Sequence, residues 1–101
     1  MQPSADRLAY QLFVGVDIAA ATFTSTWSRD EKPSLRPMTF PQIPAGFAAF
    51  LLQLQQTGVV PAATLIVMEA TGSYWITLAV TLHQAGYVVS VVNPARVRRL
   101  K

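Results

Sequence analysis

The stretch that decides the fold reads Leu65-Ile66-Val67-Met68-Glu69-Ala70-Thr71-Gly72-Ser73. Four large apolar residues in succession predict a strand that is buried on both faces, because a half-buried strand would alternate. The strand ends in the carboxylate of Glu69, and Thr-Gly-Ser then predicts a turn into a helix that Ser73 caps. An ionised carboxylate beside a packed interior is costly unless a partner compensates it. Glu69 is therefore the first candidate for a functional residue.

A second apolar stretch, near the N-terminus, has the same design. It runs Leu12-Phe13-Val14-Gly15-Val16 and ends in Asp17. Residues 21–27 then predict a strand with Phe23 and Trp27 on one face and three threonines on the other. Residues 35–40 predict a third strand at a sheet edge, because Pro37 cannot donate a hydrogen bond to a neighbouring strand. Strands this close in sequence predict an antiparallel meander.

Two helices lead to the later strands. Pro44 begins the first helix and Gly58 ends it. The second helix follows Ser73 and ends at Gly86. Residues 87–92 predict another strand, after which Asn93-Pro94 begins a C-terminal helix. The apolar residues that recur at helical spacing are Phe47, Phe50, Leu51 and Leu54 in the first helix, and Trp75, Leu78, Ala79 and Leu82 in the second.

The resulting order is βββαβαβ, which predicts an α/β fold built on a mixed sheet. Right-handed crossovers place the fourth strand beside the first, and the fifth strand beyond the fourth. That arrangement is the strand order 3-2-1-4-5 of the ribonuclease-H-like (RuvC-like) fold. Asp17 and Glu69 would then lie a few Å apart, at the carboxyl ends of adjacent parallel strands.

Composition limits the kind of protein. The 101 residues are 51% hydrophobic and 13% charged, which predicts one packed domain rather than a disordered chain. We expect residues 1–10 to be a flexible leader and residues 11–101 to be the N-terminal part of a longer domain. Cysteine is absent, no apolar run is long enough to span a bilayer, and the start lacks a signal-peptide pattern, which together favour the cytoplasm.

Asp17 and Glu69 form a candidate metal site. Two carboxylates this close repel each other unless a cation lies between them. With oxygen ligands and no histidine or cysteine nearby, the favoured ion is a hard one, Mg²⁺ or Mn²⁺. A pair of such ions can stabilise the attacking and leaving oxygens of phosphoryl transfer. The alternative is that Asp17 is a turn residue and Glu69 caps the next helix.

Three segments of this chain resemble those of a known family. The segments are Val14-Gly15-Val16-Asp17-Ile18-Ala19, Met68-Glu69-Ala70-Thr71-Gly72-Ser73-Tyr74 and Val89-Ser90-Val91-Val92-Asn93-Pro94-Ala95-Arg96-Val97. They resemble the N-terminal, RuvC-like domain of the DEDD-type insertion-sequence transposases, which are bridge-RNA-guided DNA recombinases. The resemblance extends from about Phe13 to the end of the chain. The sequence departs from the family at Ala20, where a Lys is usual, and at Thr24, where an acidic residue is common.

The resemblance implies that this chain is the N-terminal catalytic-domain fragment of a transposase. Asp17 and Glu69 match the first Asp and the Glu of the family's acidic tetrad, and they would bind Mg²⁺ or Mn²⁺. The other two acids, and a catalytic serine in a separate C-terminal domain, would belong to a further part of the protein. DNA and a guide RNA are the implied partners, and we expect the full-length protein to be a homo-oligomer. The 101 residues alone should be inactive.

The chain has a net charge of +3, and its basic residues are concentrated near the C-terminus. Arg96, Arg98, Arg99 and Lys101 are half of all the basic side chains. Clustered cations attract the phosphates of a nucleic acid whatever its base sequence, so these four residues are candidate nucleic-acid contacts. The alternative, given equal weight, is that they form an ordinary solvent-exposed face with no binding role. Tyr74, which follows Glu69 closely, is a further candidate because its ring could stack on a base.

Two other functions remain open at this point. The actin-like and sugar-kinase ATPases also begin with a strand ending in Gly-x-Asp, but they follow it with a Gly-Thr-rich phosphate hairpin, whereas Ile18-Ala19-Ala20-Ala21 follows here. Stabilisation by ATP would favour that class. A non-catalytic nucleic-acid-binding or dimerisation module, with structural carboxylates, is the other alternative. An Asp17→Ala variant with unchanged metal affinity and raised stability would favour the module.

Overall fold

The structure is a computed structural model that describes residues 10–29, 32–33, 37–69 and 72–92. Its elements follow the order predicted from the sequence, with one extra short strand. They are β1 (Leu12–Ile18), β2 (Thr22–Arg29), β3 (Lys32–Pro33), β4 (Met38–Pro41), α1 (Pro44–Gln55), a 3-10 turn (Pro61–Ala63), β5 (Thr64–Glu69), α2 (Ile76–Gln84) and β6 (Val88–Val92). The predicted leader lies outside the described residues except for Tyr10, and the predicted C-terminal helix lies outside them entirely.

The strands form one mixed sheet in the order β3-β2-β1-β5-β6, with β4 also paired to β2. β1 pairs antiparallel with β2 and parallel with β5, and β5 pairs parallel with β6. With β3 and β4 together in the place of the third strand, the predicted order 3-2-1-4-5 is confirmed. This is the strand order that two right-handed crossovers, the usual hand, are expected to produce as the chain passes to β5 and then to β6.

The third strand differs from its prediction in extent. Residues 35–40 were the predicted span, whereas the strand observed there is β4, which begins at Met38, just after Pro37. A separate two-residue strand, β3, pairs with the other half of β2. Proline lacks the N–H that a continuous ladder needs, so the strand starts after it. The prediction that this strand lies at the sheet edge is confirmed.

The prediction that the central strands are buried on both faces is wrong. Burial alternates along β1, where Leu12, Val14 and Val16 are buried and the residues between them are exposed. Along β5, the side chains of Leu65 and Val67 are only half-buried. Both helices pack on the side that carries the buried residues, because both crossovers turn the same way. We call that side the covered face and the other side, which carries Gly15, Asp17, Val67 and Glu69, the open face.

The core lies between the covered face and the two helices. Four phenylalanines form its centre, with ring centroids between 5.2 and 6.0 Å apart. The predicted inward face of α1 is confirmed, since Phe47, Phe50 and Leu54 are buried and Leu51 packs against them. The four aromatic residues are Phe23 on β2, Phe40 on β4, and Phe47 and Phe50 on α1.

The second helix begins later than predicted. Residues 72–75 form a turn, and α2 starts at Ile76 without a side-chain cap, so the predicted cap at Ser73 is wrong. The turn is closed instead by the indole N–H of Trp75, which donates to the carbonyl oxygen of Gly72 (3.0 Å). Trp75 also packs against the core, which fixes the point where the helix can begin. Neither helix in the described ranges has the length and hydropathy needed to cross a bilayer.

Tyr87 makes the stability of this core depend on pH in alkaline solution. The side chain is 3% exposed, and burial raises the pKa of the phenol above its ordinary value of about 10. Between those two values the unfolded chain releases the proton and the folded chain keeps it. The contribution of Tyr87 to the free energy of unfolding should therefore be constant below about pH 10 and fall as the pH rises further. Denaturant titrations of the wild type and Tyr87→Phe measure this, and an equal slope in both proteins would contradict it.

Candidate functional site

Asp17 and Glu69 are paired across the centre of the sheet. They are register partners in the parallel pair of β1 and β5. Adjacent strands lie about 4.8 Å apart, so the two backbones approach each other to about that distance. Alternation puts both side chains on the open face, and both are exposed to solvent. The structure therefore places the two carboxylates side by side at the carboxyl ends of two parallel strands.

Asp17 and Glu69 are the two acidic residues in the part of the chain that the structure describes. The other three acidic residues of the chain, Asp6, Asp30 and Glu31, lie outside the described residues. Within the described part of the chain, no group of three or more His, Cys, Asp or Glu side chains comes together. Asp17 and Glu69 are thus a two-carboxylate site, and two negative charges at this spacing attract cations.

A hollow on the open face leads to the two carboxylates. It has a volume of about 290 Å³ and lies over Gly15, with Thr26 and Val67 beside it. A side chain on Gly15 would enter this space, since a Cβ there would lie 3.3 Å from the hydroxyl oxygen of Thr26. Asp17 and Glu69 also line the hollow, so a group that entered it would meet their side chains.

Hydroxyl groups flank the carboxylates on the side of β2. Thr24 is the register partner of Asp17, and its hydroxyl forms a 2.9 Å hydrogen bond with the hydroxyl of Thr39 on β4. The alternation predicted for β2 is confirmed, because Phe23 is buried on the covered face and Thr26 is exposed on the open face. Among the described residues, the open face therefore offers oxygen ligands beside Asp17.

Tyr74 lies past the carboxyl end of β5 and is 57% exposed. It borders a pocket of about 380 Å³ between the β1–β2 turn and the first turns of both helices. Its carbonyl oxygen accepts a hydrogen bond from the side chain of Gln42. The other residues that line this pocket are Ala20, Gln42, Ile43, Pro44, Phe47, Ser73 and Thr77. Sequence analysis missed Gln42, because a single glutamine in a connecting segment carries no periodic signal.

The strand that precedes the basic candidates ends beside Glu69. Arg96, Arg98, Arg99 and Lys101 all lie outside the described residues. Strand β6, which precedes them, runs parallel to β5, and Val92 is the register partner of Glu69. Strand β6 therefore ends at the same edge of the sheet as the two carboxylates.

The sequence as a whole matches a known family. A family model of DEDD transposases of the IS110 type, described as a transposase, matches residues 14–101. The chain belongs to this transposase family. The match includes both carboxylate-bearing strands and the segment of basic residues. No curated protein matches the chain.

Solved structures resemble this transposase chain in fold alone. A Bacteroides thetaiotaomicron protein with an actin-like ATPase fold and unknown function superposes with a TM-score of 0.67 at 14% identity, over 96% of this chain and 39% of its own. An exopolyphosphatase from Cytophaga hutchinsonii gives a TM-score of 0.50 at 16% identity, over 89% of this chain and 36% of its own. The transposase chain thus spans less than two fifths of either protein, and both likenesses agree with the mixed-sheet architecture.

Proposed function

We propose that this chain contributes two metal ligands, Asp17 and Glu69, to the DNA-cleaving site of a transposase. The observation that carries the proposal is the register pairing of these two residues on the open face of the sheet. The family supports it, because DEDD transposases generally depend on divalent metal ions. In the complete protein the site would cut and rejoin DNA strands, with a bound guide RNA selecting the DNA.

The donor set fits a hard divalent cation. Asp17 and Glu69 supply carboxylate oxygens, and Thr24 places a hydroxyl beside Asp17. Mg²⁺ and Mn²⁺ prefer oxygen ligands of this kind. Two carboxylates balance the charge of one such ion, so a two-ion site needs acids from a further part of the protein. For that reason we expect the 101 residues alone to bind metal but not to cleave DNA.

The chain's own residues would hold and orient the reacting strand. A divalent cation bound here would stabilise the charge that develops on the oxygens at a scissile phosphate. Asp17 and Glu69 would hold that cation at the carboxyl ends of β1 and β5, where ligands of open α/β sheets commonly bind. The hollow over Gly15 leaves room for a backbone to approach, and Thr26 offers a hydroxyl to it. Tyr74 is exposed for stacking on an unpaired base.

The proposed partners are DNA and a guide RNA. The complete protein would also form a homo-oligomer. Arg96, Arg98, Arg99 and Lys101 would bind phosphates near the site, since β6 leads toward the same end of the sheet. The C-terminal serine-bearing domain would supply the second set of reacting groups. We place this activity in the cytoplasm.

Calorimetric titration with Mn²⁺ tests the metal site in this chain, and Thr24→Asp sharpens the test. Thr24 is the register partner of Asp17, so an aspartate there adds a third carboxylate to the site. We expect Mn²⁺ to bind the wild type and to bind Thr24→Asp about tenfold more tightly, because affinity rises with the number of charged ligands.

Ser28→Asp is the matched control for this titration. Ser28 lies on the same strand and face as Thr24, but about 13 Å farther along β2. Its register partner is Phe13 of β1 rather than Asp17. The added charge is therefore the same, but the carboxylate is too far away to join the site. Equal gains in affinity from Thr24→Asp and Ser28→Asp would mean that Mn²⁺ responds only to net charge, and the proposed site would be wrong.

An actin-like ATPase is the second candidate, and the likeness in fold is what favours it. Such a site needs a phosphate-binding hairpin after β1. The turn here is Ala19-Ala20-Ala21, closed by a 2.9 Å hydrogen bond from the N–H of Ala19 to the carbonyl oxygen of Thr22. It offers no hydroxyl or glycine to a phosphate. A rise in melting temperature with ATP, absent with Mg²⁺ alone, would favour the ATPase.

A further inference from the structure

Gln42 connects two loops that lie far apart in sequence. Its side-chain nitrogen donates to the carbonyl oxygen of Ala19 (2.9 Å) and to the carbonyl oxygen of Tyr74 (3.1 Å). Its backbone N–H donates to the carbonyl oxygen of Ala21 (2.9 Å). Gln42 itself lies between the end of β4 and the start of α1. One residue, in the segment between β4 and α1, thus joins the β1–β2 turn to the turn before α2.

The two loops held by this side chain are the ones that follow the proposed ligands. Ala19 comes two residues after Asp17, at the carboxyl end of β1. Tyr74 comes five residues after Glu69, past the carboxyl end of β5. Both strands end at the same edge of the sheet, because they are parallel and in register. The hydrogen bonds of Gln42 therefore span the edge where the two carboxylates lie.

The two hydrogen-bond partners of the Gln42 side chain require a donor atom that carries two hydrogens. Both partners of the Gln42 nitrogen are backbone carbonyl oxygens, which can only accept. The two hydrogens of one amide nitrogen satisfy both. Methionine has a similar length and no donor, and glutamate has the same shape but would turn an oxygen toward the carbonyls. Either substitution removes both hydrogen bonds while filling nearly the same space.

We propose that Gln42 is a positioning residue for the metal site. It fixes the loop after Asp17 against the loop after Glu69, and so it keeps the two carboxylates at the separation that a shared cation requires. The inference rests on the proposed function, and it adds a residue that is not itself a proposed ligand. Groups that orient metal ligands indirectly contribute about 10- to 100-fold to metal affinity.

Gln42→Met tests this role in the 101-residue chain. We expect its dissociation constant for Mn²⁺ to rise about tenfold relative to the wild type, measured by calorimetry well below the melting temperature. Gln55→Met is the matched control, because Gln55 is exposed at the far end of α1, and its affinity should equal that of the wild type. Backbone NMR relaxation supplies a second readout, in which residues 19–21 and 72–75 become more mobile together in Gln42→Met alone.

The possible outcomes separate this inference from the metal site itself. If the wild type binds Mn²⁺ and Gln42→Met binds it equally well, the positioning role is wrong and the metal site stands. If the wild type does not bind Mn²⁺, the proposed metal site is wrong. The positioning role is then overturned too, even if residues 19–21 and 72–75 become more mobile in Gln42→Met. Should Gln42→Met fail to fold, Gln42→Glu replaces it, and its Mn²⁺ affinity should fall in spite of the added negative charge.

Discussion

Asp17→Asn in the complete transposase should abolish metal-dependent DNA cleavage, with a loss of at least about 10³-fold in rate. The substitution keeps the shape of the side chain but removes a charge from the proposed metal site, to which the described part of the chain contributes two carboxylates. Glu69→Gln should have the same effect, because its carboxylate is the register partner of that of Asp17. Cleavage of labelled DNA in Mg²⁺ and in Mn²⁺ measures the loss.

Stability distinguishes a lost ligand from a damaged fold. Asp17 and Glu69 are like charges on neighbouring strands, and both are exposed. Without metal, Asp17→Asn should therefore leave the melting temperature unchanged or slightly higher, since it removes a repulsion. The double variant should lose no more activity than either single variant, because the two residues act as one unit. Full cleavage by Asp17→Asn, or a loss of activity explained by unfolding, would contradict the account.

Gly46→Ala should destabilise the fold by about 3 kcal/mol or more, although the same change in most helices is favourable. Gly46 is buried in the first turn of α1, against the last residue of β4. A Cβ on Gly46 would lie 1.9 Å from the carbonyl oxygen of Pro41, which is backbone and cannot rotate away. The first turn of α1 would have to lift off the sheet. Thermal unfolding should show a melting temperature lower by about 10–20 °C.

Gly58→Ala is the control for this substitution. It makes the same chemical change just beyond the C-terminal end of α1, where nothing lies within 4 Å of the added Cβ. The φ of +78° at Gly58 should make this variant less stable by about 1 kcal/mol. A Gly46→Ala protein as stable as Gly58→Ala would show that α1 can shift without cost. Gln42 lies four residues before Gly46, so a shift of α1 should also weaken Mn²⁺ binding.

The arrangement of strands was predictable because its signals are local. Two apolar runs each end in an acid, and helices separate the later strands, so the handedness of crossovers is enough to order the sheet. The pairing of Asp17 with Glu69 follows from that order and from the equal position of each acid at the end of its strand. The inward face of α1 was predictable for the same reason, since its apolar spacing is a property of one segment.

The features that the sequence did not reveal depend on distant parts of the chain. Leu65 and Val67 are apolar, which is compatible with burial on both faces, but their exposure depends on where both helices pack. The hydrogen bonds of Gln42 reach residues 23 and 32 positions away, and no pattern around Gln42 indicates them. Ser73 has the residue type of a helix cap, yet the packing of Trp75 decides where α2 begins.

The most direct test of the shared metal site is a crystal structure of the chain grown with Mn²⁺, in which anomalous scattering locates the ion. We expect one manganese ion with a carboxylate oxygen of Asp17 and another of Glu69 each within about 2–2.5 Å of it. Manganese bound elsewhere, or held by one of these two carboxylates while the other points away, would contradict the account.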